Sequence, residues 1–195
     1  MEHIIGSDET LKGDTFGGIV VAGVYLDQSQ KTYLEKLGIT DSKKITDTKI
    51  NKLAPIIMQH STYAVKNIFP VEYNTHKLTP LLNTLHLAVK EEIMQKITDK
   101  KFTHVVDKFP GCVTGDIIVE KAESKYIEVA AASIIARHVG LQQLVQLSNT
   151  IGFTIPKGST HVSEALEKLS SSSYDPKLFV KLHFKNVQKA LHRQG

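Results

Sequence analysis

His3-Ile4-Ile5-Gly6-Ser7-Asp8-Glu9 is a short apolar run that ends in two adjacent acids, after which the chain turns through Thr10, Leu11, Lys12 and Gly13. Residues 3–7 predict a first β-strand. Side chains alternate between the two faces of a strand, so an acid pair at its end gives one inward carboxylate and one that bends round from the rim. Two further acids extend the pattern: Asp107 ends the second strong apolar run, residues 102–106, and Glu123 precedes the alanine-rich segment 129–136. Four carboxylates meeting at one edge of a sheet repel strongly unless a divalent cation neutralises them. Oxygen-only donors favour magnesium or manganese over zinc. Asp8, Glu9, Asp107 and Glu123 are therefore the candidate metal ligands and catalytic groups.

The chain has 195 residues, 41% of them apolar, enough for the core of one domain. Its single cysteine, Cys112, excludes an internal disulfide and a cysteine zinc site. The nine histidines show no ligand spacing that would make a zinc site. No signal peptide is visible, and the longest apolar stretch, residues 17–26, is far short of the roughly 20 residues of a membrane span. A soluble, cytoplasmic monomer is the expectation. A net charge of +4 is compatible with a polyanionic partner without requiring one. Positive charge gathers at Lys43/Lys44, at Lys100/Lys101 and along residues 177–193. Basic surface around an acidic, metal-loaded pit suits a substrate with a phosphate backbone.

Outward from the first strand, residues 19–27 predict a second, rich in β-formers. Asp41 or Ser42 caps a predicted helix over residues 43–59, with Pro55 as a kink or break. Residues 62–69 are a third strand candidate. Thr79 as N-cap and Pro80 at the first position open the clearest helix, which runs to about residue 98 with Leu81, Leu82, Leu85, Val89 and Ile93 near the helical period. Residues 102–107 predict a buried strand, 116–119 a shorter one, and 126–148 a helix whose Ala130, Ala131 and Ala132 allow close approach to a sheet. Ser133 reads as a packed residue of that helix. Beyond residue 150 the pattern is helical: a helix over 162–169, a serine loop at 170–173, and a basic helix from Pro176. The expected architecture is one α/β domain with a mixed sheet over residues 1–150 and a helical extension over 151–195.

These motifs resemble the type 2 ribonucleases H, the ribonuclease HIII branch in particular. The resemblance rests on Gly6-Ser7-Asp8-Glu9, Gly13-Asp14 with Phe16-Gly17, Asp41-Ser42-Lys43-Lys44, Val106-Asp107, Lys121-Ala122-Glu123-Ser124 and residues 129–137. Glutamate at position 123 and Leu182-His183-Phe184-Lys185-Asn186 also look like that branch. The resemblance implies a ribonuclease H-like fold, a five-stranded mixed sheet flanked by helices. It implies Asp8, Glu9, Asp107 and Glu123 as metal ligands. The implied reaction is endonucleolytic hydrolysis of the RNA strand of an RNA/DNA hybrid, leaving 5′-phosphate and 3′-hydroxyl ends, by two metal ions about 4 Å apart. Selection for RNA rests on the 2′-hydroxyl, with backbone groups of Thr10, Leu11, Lys12 and Gly13 as natural contacts. Ser42, Lys43, Lys157 and Lys185 are candidate phosphate contacts.

The chain departs from the family pattern at Leu11, where glycine is usual. Leucine disfavours positive φ and adds bulk, which bears on recognition of the 2′-hydroxyl and on cleavage at a single embedded ribonucleotide. Gly18 stands where proline is usual. Ribonucleases HIII commonly carry an extra amino-terminal substrate-binding domain, whereas Asp8 lies seven residues from the start here, so weaker hybrid binding is expected. Two rival functions are a non-catalytic hybrid-binding protein with a degenerate turn and a four-acid exonuclease. Retention of all four acids opposes the first, and contiguous Asp8-Glu9, rather than an Asp-x-Glu spacing, opposes the second.

Overall fold

The computed structural model describes residues 3–39, 45–98 and 100–192. Five strands form one mixed sheet: β1 His3–Thr10, β2 Ile19–Tyr25, β3 Thr62–Ile68, β4 Phe102–Asp107 and β5 Ile117–Val119, in the order β3-β2-β1-β4-β5. The helices are α1 Gln28–Lys36, α2 Asp47–Gln59, α3 Pro70–Tyr73, α4 Leu78–Lys96, α5 Ile127–Ile151, α6 Ser163–Ser170 and α7 Lys185–Leu191. The chain divides into two compact units. One comprises Met1–Glu9, Val21–Lys66 and Leu78–His138; the other comprises Thr10–Val20, Asn67–Lys77 and Val139–Gly195.

In the first unit the sheet is covered on both faces, and β1 shows how. Gly6 lies so close to α5 that a Cβ there would collide with the main chain of Glu128 and Val129. Two residues on, Asp8 accepts a hydrogen bond from Ser133 of the same helix. The alternate residues Ser7 and Glu9 face His86 of α4. Glycine at position 23 leaves room for Val89 and Ile93 of α4, whose Leu81, Leu82 and Leu85 are also buried. Each such side chain contributes about 1.5–3 kcal/mol by leaving water. Under β4 and β5, Val105, Ala122 and Val129 form a cluster with Ile4, Ile117, Val119 and Tyr126 around it.

Several elements differ from the sequence reading. β1 continues to Thr10, so both acids lie within the strand. Helix α1 is unforeseen: it is polar and buries only Leu34, but Asp27 and Gln30 make a reciprocal capping box. Thr46, rather than Asp41 or Ser42, caps α2, and the helix runs through Pro55 unbroken because Ile50, Leu53, Ala54 and Ile57 anchor it. Residues 41–44 lie outside the described residues. Helix α4 begins at Leu78, so Thr79 is within its first turn; its hydroxyl donates to Pro110 O at 3.4 Å.

In the second unit the expected basic helix from Pro176 is broken into a 3-10 turn, Pro176–Leu178, and α7. Between them Phe179, Val180 and Lys181 are buried and pair with the loop after β1: Val180 bridges Phe16, and Gly17 N donates to Phe179 O at 2.9 Å. Gly18 N donates to Gln143 Oε1 at 2.8 Å, a bond that proline could not make.

Candidate functional site

Parallel pairing of β1 with β4 places Ser7 beside Val106, so the next residues, Asp8 and Asp107, lie on adjacent strands just past the last paired position of the two. The chain then returns through β5, and Lys121 takes a left-handed conformation, φ 56°, unusual for a side-chain-bearing residue. That turn directs Ala122 N to donate to Asp107 Oδ1 at 2.9 Å, which fixes Glu123 next to the strand end. Asp8 and Glu123 are 5% and 4% exposed.

Burial, with the charges of Glu9 and Asp107 added, holds Asp8 well above the ordinary carboxylate range; the Ser133 hydroxyl and the Glu9 amide, 2.8 Å from Asp8 Oδ1, pull the other way. An acid kept from ionising by burial and by two like charges beside it is a site short of positive charge. The donor set, hard carboxylate oxygens, suits magnesium or manganese. Its geometry is not preset, since no group of three or more His, Cys, Asp or Glu among the described residues is arranged to hold an ion.

Behind Glu9 lie residues that the sequence pattern does not single out. Ser7 Oγ is 2.8 Å from His86 Nδ1 and 2.8 Å from His104 Nε2. All three residues are fully buried. Burial pushes His104 down to about 4, so its ring is neutral. Ser133, expected as a packing residue, instead touches Asp8 with its hydroxyl. Spacing could have flagged Ser7 only as the partner, on the same face, of Glu9.

Beside Glu123 a cleft of about 590 Å³ is bordered by Lys31, Lys125, Tyr126 and Glu128. Lys31 pairs with the buried Glu128 at 2.5 Å, so Lys125 brings the less committed positive charge to the rim.

The expected substrate turn follows Glu9 directly. Leu11 adopts φ 65°, the left-handed shape that glycine would take, so the leucine does not abolish the turn. Its side chain, 2% exposed, fits between Gly17 and Gly140, where a Cβ on either glycine would crowd it. Leu11 is thus buried within the turn, while Lys12 is half-buried and Gly13 exposed. Asp14 N donates to Leu11 O at 3.1 Å and closes the turn.

Two of the candidate lysines flank this loop within the second unit. Lys157 precedes Gly158, whose N–H donates to Asp14 Oδ1 at 2.6 Å and whose carbonyl accepts from Thr15 N. Lys185 precedes Asn186, whose amide donates to Thr15 Oγ1 at 2.8 Å. Both lysines are exposed. Lys181, unforeseen, is fully buried and donates from Nζ to Asp14 O at 2.6 Å and Gly17 O at 2.8 Å, with the Tyr73 and Phe184 rings 5.2 and 5.6 Å away. Ser42 and Lys43 fall outside the described residues. Among the described residues no helix is long and apolar enough to cross a membrane.

Comparison with known proteins gives a consistent answer. The Ribonuclease HII family profile matches residues 5–187. The chain is 37% identical over 212 residues to Ribonuclease HIII of Geobacillus kaustophilus, covering 96% of this chain and 68% of that protein. It is 31% identical to Ribonuclease HIII of Streptococcus pneumoniae, covering 97% and 72%. Among solved structures, Bst-RNase HIII in complex with Mn2+ superposes with a TM-score of 0.89 at 32% identity, over 98% of this chain and 70% of that one.

Proposed function

The chain belongs to the type 2 ribonuclease H family, in its ribonuclease HIII branch, and from that premise we propose that it cuts the RNA strand of RNA/DNA hybrids internally, as a monomer, using divalent metal ions. The observation that carries the reading is the set of acids at one sheet edge, where Asp8 is held unionised by burial and by Glu9 and Asp107. A structural role does not explain such a cluster, because repulsion among buried carboxylates opposes folding. Bound by these four residues, two magnesium or manganese ions would supply Lewis-acid activation of a water and charge stabilisation at the departing 3′-oxygen, leaving 5′-phosphate and 3′-hydroxyl ends.

The chain's own groups do the rest. Asp8, which feels the charges of both Glu9 and Asp107, would be the ligand shared by the ions, with Glu9, Asp107 and Glu123 dividing the remaining positions. No side-chain nucleophile is required. Main-chain groups of Thr10, Leu11, Lys12 and Gly13 read the 2′-hydroxyl, the group that separates ribose from deoxyribose. Lys157 and Lys185, with Ser42 and Lys43, meet phosphates, which position the hybrid without reading its sequence. The left-handed Leu11 speaks against the binding-only alternative, since the glycine-type turn is kept despite the substitution.

The test is cleavage of an end-labelled hybrid beside single-stranded RNA and a duplex with one ribonucleotide, with magnesium or manganese and with Asp8→Asn. Cutting of the hybrid's RNA strand alone, dependent on metal and lost in Asp8→Asn, is the expected result. Binding of the hybrid without cutting under either metal would replace this reading with the binding-only one.

A further inference from the structure

We infer that His86, held by Ser7 and His104, is a positioning residue that sets the carboxylate of Glu9 for metal binding; the inference rests on the reading of Glu9 as a metal ligand. The four groups form one line of polar contacts through the interior of the first unit. At its far end, Thr114 O lies 3.2 Å from His104 Nδ1. A carbonyl can only accept, so His104 Nδ1 carries the hydrogen. The ring is neutral, so its Nε2 is an acceptor and takes the one proton of the Ser7 hydroxyl. Ser7 Oγ then accepts from His86 Nδ1–H. Each contact therefore has one direction, and the ring of His86 can sit only one way round. Its other nitrogen, Nε2, makes no hydrogen bond among the described residues and faces Glu9 Oε2 at 3.4 Å.

The frame that holds this line is itself fixed. The His86 ring stacks on Phe109, centroids 5.3 Å apart and planes 23° from parallel. One turn earlier on α4, Asn83 donates to Gly111 O at 2.9 Å and accepts from Val113 N at 2.9 Å and Thr114 Oγ1 at 3.3 Å. The loop that supplies Thr114 is thus tied to the helix that supplies His86, and the circuit closes through β4 and β1. Beyond it, Asp116 Oδ2 accepts from His104 N at 2.7 Å. Three buried polar side chains in an otherwise apolar layer are costly unless each is satisfied. Here the line ends on a candidate metal ligand and not on a structural group. The faces of β1 explain the division of labour: Ser133 of α5 orients Asp8 from one side and His86 of α4 orients Glu9 from the other.

The experiment is calorimetric titration of the metal-free full chain with Mn2+ alone, far below its melting temperature, for wild type, Asp8→Asn, His86→Leu, His86→Gln and Ser7→Ala, with urea unfolding of each metal-free protein. Orienting partners of metal ligands typically change metal affinity by about 10–100-fold. His86→Leu and Ser7→Ala are expected to bind Mn2+ at least about tenfold more weakly while still folding. His86→Gln, which keeps a polar group near the position of Nε2, is expected to stay within about threefold of wild type. Wild-type affinity in folded His86→Leu and in Ser7→Ala, with loss confined to unfolding stability, would overturn the inference. Should His86→Leu fail to fold, the affinity of Ser7→Ala decides the matter in the same way. A different failure marks the parent reading: if Asp8→Asn binds Mn2+ as well as wild type, the acids are not the metal site and both fall.

Discussion

Replacing Lys181 by methionine tests the least expected feature of the second unit. The amine is fully buried, and burial lowers it from 10.5 to about 7, the Asp14 carboxylate pulling weakly upward. That difference of about 3.5 units corresponds to about 5 kcal/mol of cost for keeping the charge inside below pH 7. Between pH 7 and 10.5 the folded chain has released this proton while the unfolded chain still holds it, so the stability of the wild type rises with pH in that window. Methionine fills similar space but carries no proton, and it leaves Asp14 O and Gly17 O without their donor, at about 1–3 kcal/mol each. At pH 6.5 the losses and the relieved charge offset, and the two proteins lie within about 3 kcal/mol of each other. From pH 7 to 9 the wild type should gain about 2.3 kcal/mol on Lys181→Met, since the slope reaches its full value of about 1.36 kcal/mol per pH unit only once the folded amine has lost its proton. Urea unfolding of both proteins across pH 6.5–9 reads the difference directly, and titrations common to the two cancel. Parallel profiles would refute the reasoning and would mean that the two carbonyls and the two rings keep the amine charged.

Leu11→Gly removes about 1–2 kcal/mol of left-handed strain but gives up a buried leucine worth about 2–5 kcal/mol, so the variant should be less stable in urea while its preference for hybrid over DNA duplex is unchanged; a lost preference would show that the side chain, not the turn, matters. Asp8→Asn should raise the melting temperature of the metal-free chain, because it removes a buried acid beside two others, and should abolish the further rise that Mn2+ gives wild type. Mn2+ binding at pH 7 should release a proton from Asp8, seen as a calorimetric heat that scales with the ionisation heat of the buffer; a heat independent of buffer would mean that Asp8 is already ionised. Gly6→Ala forces α5 outward from β1 and should cost about 1–3 kcal/mol in urea, whereas wild-type stability would mean that the helix sits farther from the strand than this contact requires.

Periodicity made the sheet and its two long helices readable: the apolar runs at residues 102–107 and 62–69 stand as β4 and β3, and the spacing of Leu81 to Ile93 as α4. What escaped was structure with little apolar signal. Helix α1 buries one leucine and is held by its cap, and the strand-like stretch at Phe179–Lys181 sits between helical patterns and becomes extended only because residues 15–17 pair with it. The acids drew the sequence reading to a metal site because four carboxylates gathered at one sheet edge would repel one another unless a cation lay among them. At Leu11 tertiary packing overrides propensity: Gly17 and Gly140 make a slot for the side chain, and burial outweighs the strain of positive φ. His86 and Lys181 gave no local signal, since their partners lie 79 and more than 160 residues away along the chain.

The same geometry explains why four consecutive residues in β1 are so different in kind. Gly6 must lack a side chain because the backbone of α5 passes against it, and that approach brings Ser133 within reach of Asp8 two residues on. Ser7 must be small and must both donate and accept, because two imidazoles meet on it from α4 and β4. Glu9 is longer than Asp8 and reaches the same strand end from the opposite face, where His86 stands behind it. Strand alternation thus assigns glycine and aspartate to one helix and serine and glutamate to the other, so that two adjacent acids can be oriented independently before any cation arrives. An aspartate at position 9 would fall short of that edge by one methylene, and a threonine at position 7 would place a methyl group where the imidazoles converge. The motif is a consequence of seating two carboxylates side by side on a strand that is buried on both faces.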